Sequence, residues 1–211
     1  STDGIHWKRS KEPLLIWENE YGFDETRYRD QYRGGYQRPS LMYEDNRWKI
    51  WYDFEAGPTN RVSIGYAENQ GDFLSPDDWH RKTGDDTPLI SHWVDFDVVR
   101  IGSIYYAYGD PFLATCGIHD PQLVDYDANW SRRQIVEAQS YDGIHWVTTG
   151  YFRPDRDCPA NQIPQVFLDH DRQRVCLFYA TQRGIRPDGS YDWRWSGFRY
   201  MTRDLSCYIV R

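Results

Sequence analysis

The segment Ser140–Trp146 reads SYDGIHW, and the chain opens with STDGIHW at Ser1–Trp7. The word DGIHW therefore stands unchanged at Asp3 and again at Asp142. A word that holds both His and Trp does not recur by chance in so short a chain. It marks either a repeated structural unit or a functional motif used twice. Asp followed by Gly supplies a tight turn, with Gly143 in a backbone conformation that side chains resist. Beyond the turn, Ile144 and Trp146 alternate with His145, so the two apolar side chains pack inward and the imidazole faces out. Copies of the His carried on separate units point in different directions and do not make a ligand pair. The motif reads as a structural clasp.

Laid along the chain, the motif brings out three blocks with one grammar. The first runs RPSLMYEDNRWKIWYDF, RVSIGYAEN and DDWHRK; the second VDFDVVRIGSIYYAYGD, RRQIVEAQS and DGIHWVTTG; the third IPQVFLDHDRQRVCLFYATQ, WRWSGFRYMTRD and SCYIV. Each holds an apolar strand, a short polar turn, an aromatic strand, a loop, a third strand and a short outer strand. Period-two alternation puts Trp48, Ile50 and Tyr52 on one face of WKIWYDF, with Lys49 and Trp51 on the other. Helical periodicity is scarce; SPDDWH predicts a single turn at Ser75 with Pro76 in its first position. Four antiparallel strands repeated in series predict an all-β chain, a β-propeller of four-stranded blades. The expected arrangement is one domain over 1–211, with blades at roughly 38–90, 93–152 and 161–211. A β-sandwich is the competing architecture, but sandwiches do not repeat a whole four-stranded unit with its turn motif. Matching Ser1 to Ser140 starts the chain at the end of a third strand. Three blades plus one outer strand are then visible, and a ring of roughly four to eight blades calls for an upstream segment or another chain to close it.

Composition narrows the partners. The 211 residues suffice for one domain with a real core. Aromatic residues make up 17% of the chain, which suits strands and flat surfaces that stack on sugars or bases. A net charge of −7 argues against a nucleic-acid backbone, which needs a basic face. No apolar run reaches the roughly 18 residues of a membrane span. No signal peptide is visible; a leader already removed would make the protein secreted or periplasmic. Cys116, Cys158, Cys176 and Cys207 form no C-x-x-C pair, so zinc and thioredoxin-like chemistry are not indicated. Cys176 sits in an apolar run and reads as a buried thiol. No Gly-rich phosphate loop, nucleophile elbow or metalloprotease helix is present.

Three features resemble the five-bladed β-propeller glycoside hydrolases, the family 43 arabinanases and xylosidases and related clans. The blade-end turn S-x-D-G-x-x-W looks like a shortened relative of the sialidase Asp-box. GYAEN resembles their third-strand ending, and VDFDVVRIGSIYYAY their second-blade strand pair. The resemblance implies hydrolysis of an oligo- or polysaccharide in a central funnel, by one Asp as base, a second Asp that tunes the acid, and a Glu as the acid. It also leaves room for a structural metal ion in the central channel, although spacing gives no ligand cluster. Matched by motif, Asp95 stands at the tuning position with Phe96 after it in place of Pro. Arg38 stands where the base would be, and Gln162 where the acid would be.

The residues themselves point to the same strands. Asp95 and Asp97 are i and i+2 and would share one face of an inner strand, with Val94, Phe96 and Val98 on the packed face. Two acids on one face of an apolar strand are costly unless paired. They are the candidate catalytic carboxylates, with salt bridges to Arg as the structural alternative. Arg38 could pair with Asp95 across the funnel or grip a sugar hydroxyl pair. Trp93 could stack on a pyranose and His92 could act as an acid or a metal ligand; packing explains either as well. Asp157, Asn161 and Gln162 could bond hydroxyls, and turn chemistry explains the Asp and the Asn equally well. Glu137 reads as a salt-bridge partner of Arg132 or Arg133, and Trp193 and Trp195 as packing between blades. The alternatives to an enzyme are a non-catalytic carbohydrate-binding propeller and a protein-interaction scaffold.

Overall fold

The computed structural model describes residues 1–17, 35–56, 61–84, 89–111, 134–152, 161–185 and 191–208. Their strands form three antiparallel sheets in chain order. Sheet A holds β1 (Tyr36–Glu44), β2 (Arg47–Ala56), β3 (Arg61–Asn69) and β4 (Trp79–Arg81) in sequence, with β5 (Ile90–Ser91) also on β3. Sheet B runs β6 (Asp97–Ile101), β7 (Ile104–Gly109), β8 (Ile135–Ser140) and β9 (Val147–Phe152). Sheet C holds β10 (Asn161–Asp169), β11 (Arg174–Ile185) and β12 (Tyr191–Asp204). These are blades of a β-propeller. The third differs from the expected four strands. Among the described residues it has three, because the segment expected to close it turns into a 3-10 helix at Leu205–Tyr208. The short helix expected after Ser75 is present as a 3-10 turn at Pro76–Asp78.

Alternation along each strand decides what faces what. In β2, Trp48, Ile50, Tyr52 and Phe54 form one apolar face, covered in part by Leu14, Leu15 and Trp17. Trp51, on the other face, joins Tyr66, Phe96, Val98, Tyr105 and Ala138 in a core between sheets A and B. Val99, Tyr106 and Tyr108 of sheet B meet Val166, Leu177 and Tyr179 of sheet C in a second core. Each large side chain so buried contributes roughly 1.5–3 kcal/mol, and the two seams fix the stacking order of the sheets.

The DGIHW clasp joins sheets A and B, between β8 and β9. Asp142 Oδ1 accepts the backbone N–H groups of Ile144 and His145, both at 2.8 Å, and Ser140 Oγ accepts that of Gly143 at 2.9 Å. Gly143 takes φ 77° and presents its carbonyl to two indoles: Trp146 at 3.0 Å and, from sheet A, Trp51 at 2.8 Å. A Cβ on Gly143 would lie 3.0 Å from the Trp51 ring, so glycine permits the approach as well as the turn. Ile144 and Trp146 pack on the core between the sheets and His145 is exposed, as the alternation requires. Ser1–Trp7 folds the same way: Asp3 Oδ1 accepts Ile5 and His6 N–H at 2.9 and 2.8 Å, Gly4 has φ 71°, and Trp7 reaches the Gly4 carbonyl at 3.0 Å.

Candidate active site

The first strands of the three sheets come together at one end. Arg38, Asp95 and Ile163 each stand two residues before a rung of the ladder to the second strand, Ser40 with Trp51, Asp97 with Tyr108 and Gln165 with Phe178, and at Arg38 and Ile163 the register of β1 and β10 shifts. All three adopt left-handed φ, 46°, 55° and 55°. For non-glycine residues such a conformation costs of order 1–3 kcal/mol and persists only where surroundings enforce it. Here the enforcement is a repeated strut. Asp53, in the second half of β2, accepts the backbone N–H of Asp95 at 2.9 Å. Asp110, just past β7, accepts the backbone N–H of Ile163 at 3.0 Å. Asp53 and Asp110 lie two residues after Trp51 and Tyr108, at one register position of successive blades. In the third blade that position is Ala180.

Between the three strand starts lies a cleft of about 250 Å³, walled by Arg38 and Pro39, by Asp95 to Asp97, and by Ile163 to Gln165. Arg38 is its cation. The guanidinium donates through Nη1 to Asp53 Oδ2 at 2.5 Å and pairs through Nε with Asp95 Oδ1 at 2.7 Å. Its side chain is 39% exposed, while those of Asp53 and Asp95 are 1% and 4% exposed. Burial pushes the Asp53 carboxyl up to about 6, because the loss of solvent outweighs the attraction of Arg38. Among the described residues Asp53 Oδ1 has no hydrogen-bond partner, a further reason for the charge there to be costly.

Asp97 ties all three sheets. Its Oδ1 accepts the Ser40 hydroxyl of β1 at 2.6 Å and the N–H of Val98 at 3.2 Å. Its Oδ2 accepts the N–H of Val166 in β10 at 2.7 Å. Burial raises its pKa, and these bonds oppose the rise without cancelling it. The expected shared face of Asp95 and Asp97 is not that of one straight strand. Asp95 precedes β6 with left-handed backbone and turns toward Arg38, while Asp97 opens β6 and reaches to both neighbouring sheets.

Of the other expected site residues, three are buried away from the cleft. Trp93 is 1% exposed and packs edge-on against Phe96 at 5.5 Å, so it offers no face to a sugar. Asn161 and Gln162 begin β10 rather than a loop, at 0% and 3% exposure, and Asn161 Nδ2 donates to Gln134 Oε1 at 2.8 Å. Strand pairing with Thr181 and Ala180 holds them in β10. His92 is half-buried and is not among the cleft's walls. Glu137 meets Arg203 of sheet C at 3.3 Å and the Tyr108 hydroxyl at 2.9 Å; Arg132, Arg133, Asp157 and the side chains of Trp193 and Trp195 lie outside the described residues. Cys176 is a free, buried thiol. Among the described residues no three His, Cys, Asp or Glu side chains are grouped to hold a metal ion, and Arg38 already supplies the positive charge between Asp53 and Asp95.

Asp53 and Asp110 are absent from the residues singled out in the sequence, where each looks like a turn residue ending an aromatic strand. Setting WYDF beside YYAYGD gives the signal that finds them, two residues after an aromatic in each block.

No family model and no curated protein sequence matches the chain. Its likeness is to solved structures. It superposes on a GH32 β-fructofuranosidase of Bombyx mori with a TM-score of 0.56 at 10% identity, over 82% of this chain and 35% of that one. A thermostable family-43 glycoside hydrolase gives a TM-score of 0.50 at 14% identity, over 79% of this chain and 50% of that one. Both are propeller glycoside hydrolases, and at such identities the likeness is one of fold. The chain spans about a third of the first and half of the second.

Proposed function

We propose that the cleft between the three strand starts binds a carbohydrate and hydrolyses its glycosidic bond, with Asp95 as the carboxylate that acts on the substrate. The observation that carries this reading is the convergence of Arg38, Asp95 and Asp97 on one open cleft, built from the first strands of three blades. Hydrolysis adds one water across the bond: a carboxyl protonates the leaving oxygen while a carboxylate activates water or attacks the sugar. Asp95 stands at the cleft wall beside Arg38 in the carboxylate's part, and the acid that protonates the leaving oxygen is assigned to none of the described residues. Asp97, with both oxygens committed to neighbouring strands, is a positioning residue. Asp53 acts through Arg38 and the Asp95 backbone and titrates near 6, so the charge around Asp95 changes in weakly acidic solution. Net negative charge suits a neutral glycan better than a phosphorylated one.

A second reading is a carbohydrate-binding propeller without turnover, favoured by Gln162 at the position where the family resemblance calls for the acid. Incubation with a panel of oligo- and polysaccharides separates the two. Release of reducing ends supports hydrolysis, binding without release supports the second reading, and neither binding nor release contradicts both.

A further inference from the structure

One side chain of the cleft has no part in the proposed chemistry. Arg38, Asp95 and Ile163 hold one position in three successive sheets and share left-handed φ. The first two bring a guanidinium and a carboxylate to the cleft. The third brings an apolar, branched side chain to the wall that sheet C contributes. Isoleucine is among the residues that resist this backbone most, since its Cβ carries two heavy atoms; glycine or asparagine would take it with less strain. Sheets B and C hold it there nonetheless. The register of β10 on β11 shifts between Gln162 and Gln165, a bulge of the kind that re-aims a side chain beside a site. Asp110, itself fully buried, accepts the Ile163 N–H at 3.0 Å and donates its own N–H to the carbonyl of Val94, next to Asp95, at 3.1 Å. Among the described residues Ile163 belongs to neither core between the sheets, so packing of the fold does not account for an apolar side chain at this position.

We infer that Ile163 is a specificity-determining residue of the proposed reaction, its side chain packing on the C–H face of the sugar whose hydroxyls meet Arg38 and Asp95. This rests on the carbohydrate reading and deepens it. A sugar ring carries hydroxyls on its rim and C–H groups on its faces, and the cleft has the matching division. Arg38 and Asp95 offer hydrogen-bond partners, while Ile163, with Pro39 and Pro164, offers apolar surface. A hydroxyl turned toward Ile163 would give up water and gain no partner, so the side chain selects sugars that present C–H groups there. Backbone strain kept at a site in this way is exchanged for function. Ile163 moves no proton and breaks no bond, so it acts on affinity rather than on the rate of bond cleavage.

The test sets affinity against stability in Ile163→Gly, Ile163→Asn and Ile163→Val. The probe is the oligosaccharide of the panel that the wild type binds most tightly, with KM measured where it is cleaved and Kd by calorimetry where it is bound without release. Ile163→Gly and Ile163→Asn are expected to weaken KM or Kd by about 10-fold or more, with kcat changed far less. Ile163→Val, which keeps a branched apolar side chain, is expected to lose much less than either. The urea midpoint of Ile163→Asn is expected to stay at or rise above that of wild type, because asparagine tolerates left-handed φ. Unchanged affinity in both Ile163→Gly and Ile163→Asn would overturn the inference while leaving the carbohydrate reading intact. A midpoint that falls in both variants would assign the side chain to packing and overturn it equally. A wild type that binds no oligosaccharide of the panel would overturn the carbohydrate reading, and this inference with it.

Discussion

Asp53→Asn isolates the electrostatics beneath the cleft. Burial raises the Asp53 carboxyl from 3.8 to about 6 in the folded protein. The difference of roughly two units corresponds to about 3 kcal/mol. Its sign follows from proton uptake. Between about pH 4 and 6 the folded state holds a proton that the unfolded chain has released, so stability falls as pH rises. The contribution is fully present below pH 4 and lost above about pH 6. Asn cannot titrate, fills the same volume and can still accept the Asp95 N–H. Urea unfolding followed by Trp fluorescence, from pH 4 to 7.5, gives the stability of both proteins. Groups that titrate alike cancel in the difference. Wild type is expected to lose about 3 kcal/mol relative to the variant across this range. Parallel curves, or a wild type that gains relative to the variant as pH rises, would refute the assignment of a buried, proton-holding Asp53.

Two further substitutions probe the seams. Trp51→Phe keeps most of the buried ring but removes the bond to the Gly143 carbonyl, and is expected to cost about 1–2 kcal/mol in urea unfolding; an unchanged midpoint would mean that the clasp does not hold sheets A and B together. Asp97→Ala takes the side-chain acceptor from the N–H groups of Val98 and Val166, with an expected loss of about 2–4 kcal/mol; a loss below 1 kcal/mol would remove Asp97 from its role as a three-sheet tie.

The fold is legible in the sequence where structure is local. Alternation places Trp51 and Lys49 opposite Trp48, Ile50 and Tyr52, and the Asp-Gly turn fixes the clasp, because both depend on neighbours in sequence. The site is legible in part. Asp95 stands out as an acid in an apolar run, and its pairing with Arg38 is present. Its backbone conformation is not legible, since neither Arg38, Asp95 nor Ile163 carries the Gly or Asn signal of left-handed φ. Hydrogen bonds donated by their backbone N–H groups to Asp53 and Asp110, distant in sequence, impose it at Asp95 and Ile163. Trp93 misleads for a related reason. A Trp beside an acid suits a sugar platform, but Phe96 and Gly109 close over the ring, and only packing reveals that. Asn161 and Gln162 follow a polar, Pro-containing stretch and read as loop, yet pairing to β11 makes them strand.

Reducing-end release by Asp95→Asn beside wild type, on whichever glycan the wild type cleaves, is the decisive measurement for the proposed hydrolysis. The substitution keeps the shape of the side chain and removes its charge. The value of kcat is expected to fall by about 10²–10⁴-fold while the urea midpoint changes far less. A variant that releases reducing ends at the wild-type rate would contradict a catalytic Asp95.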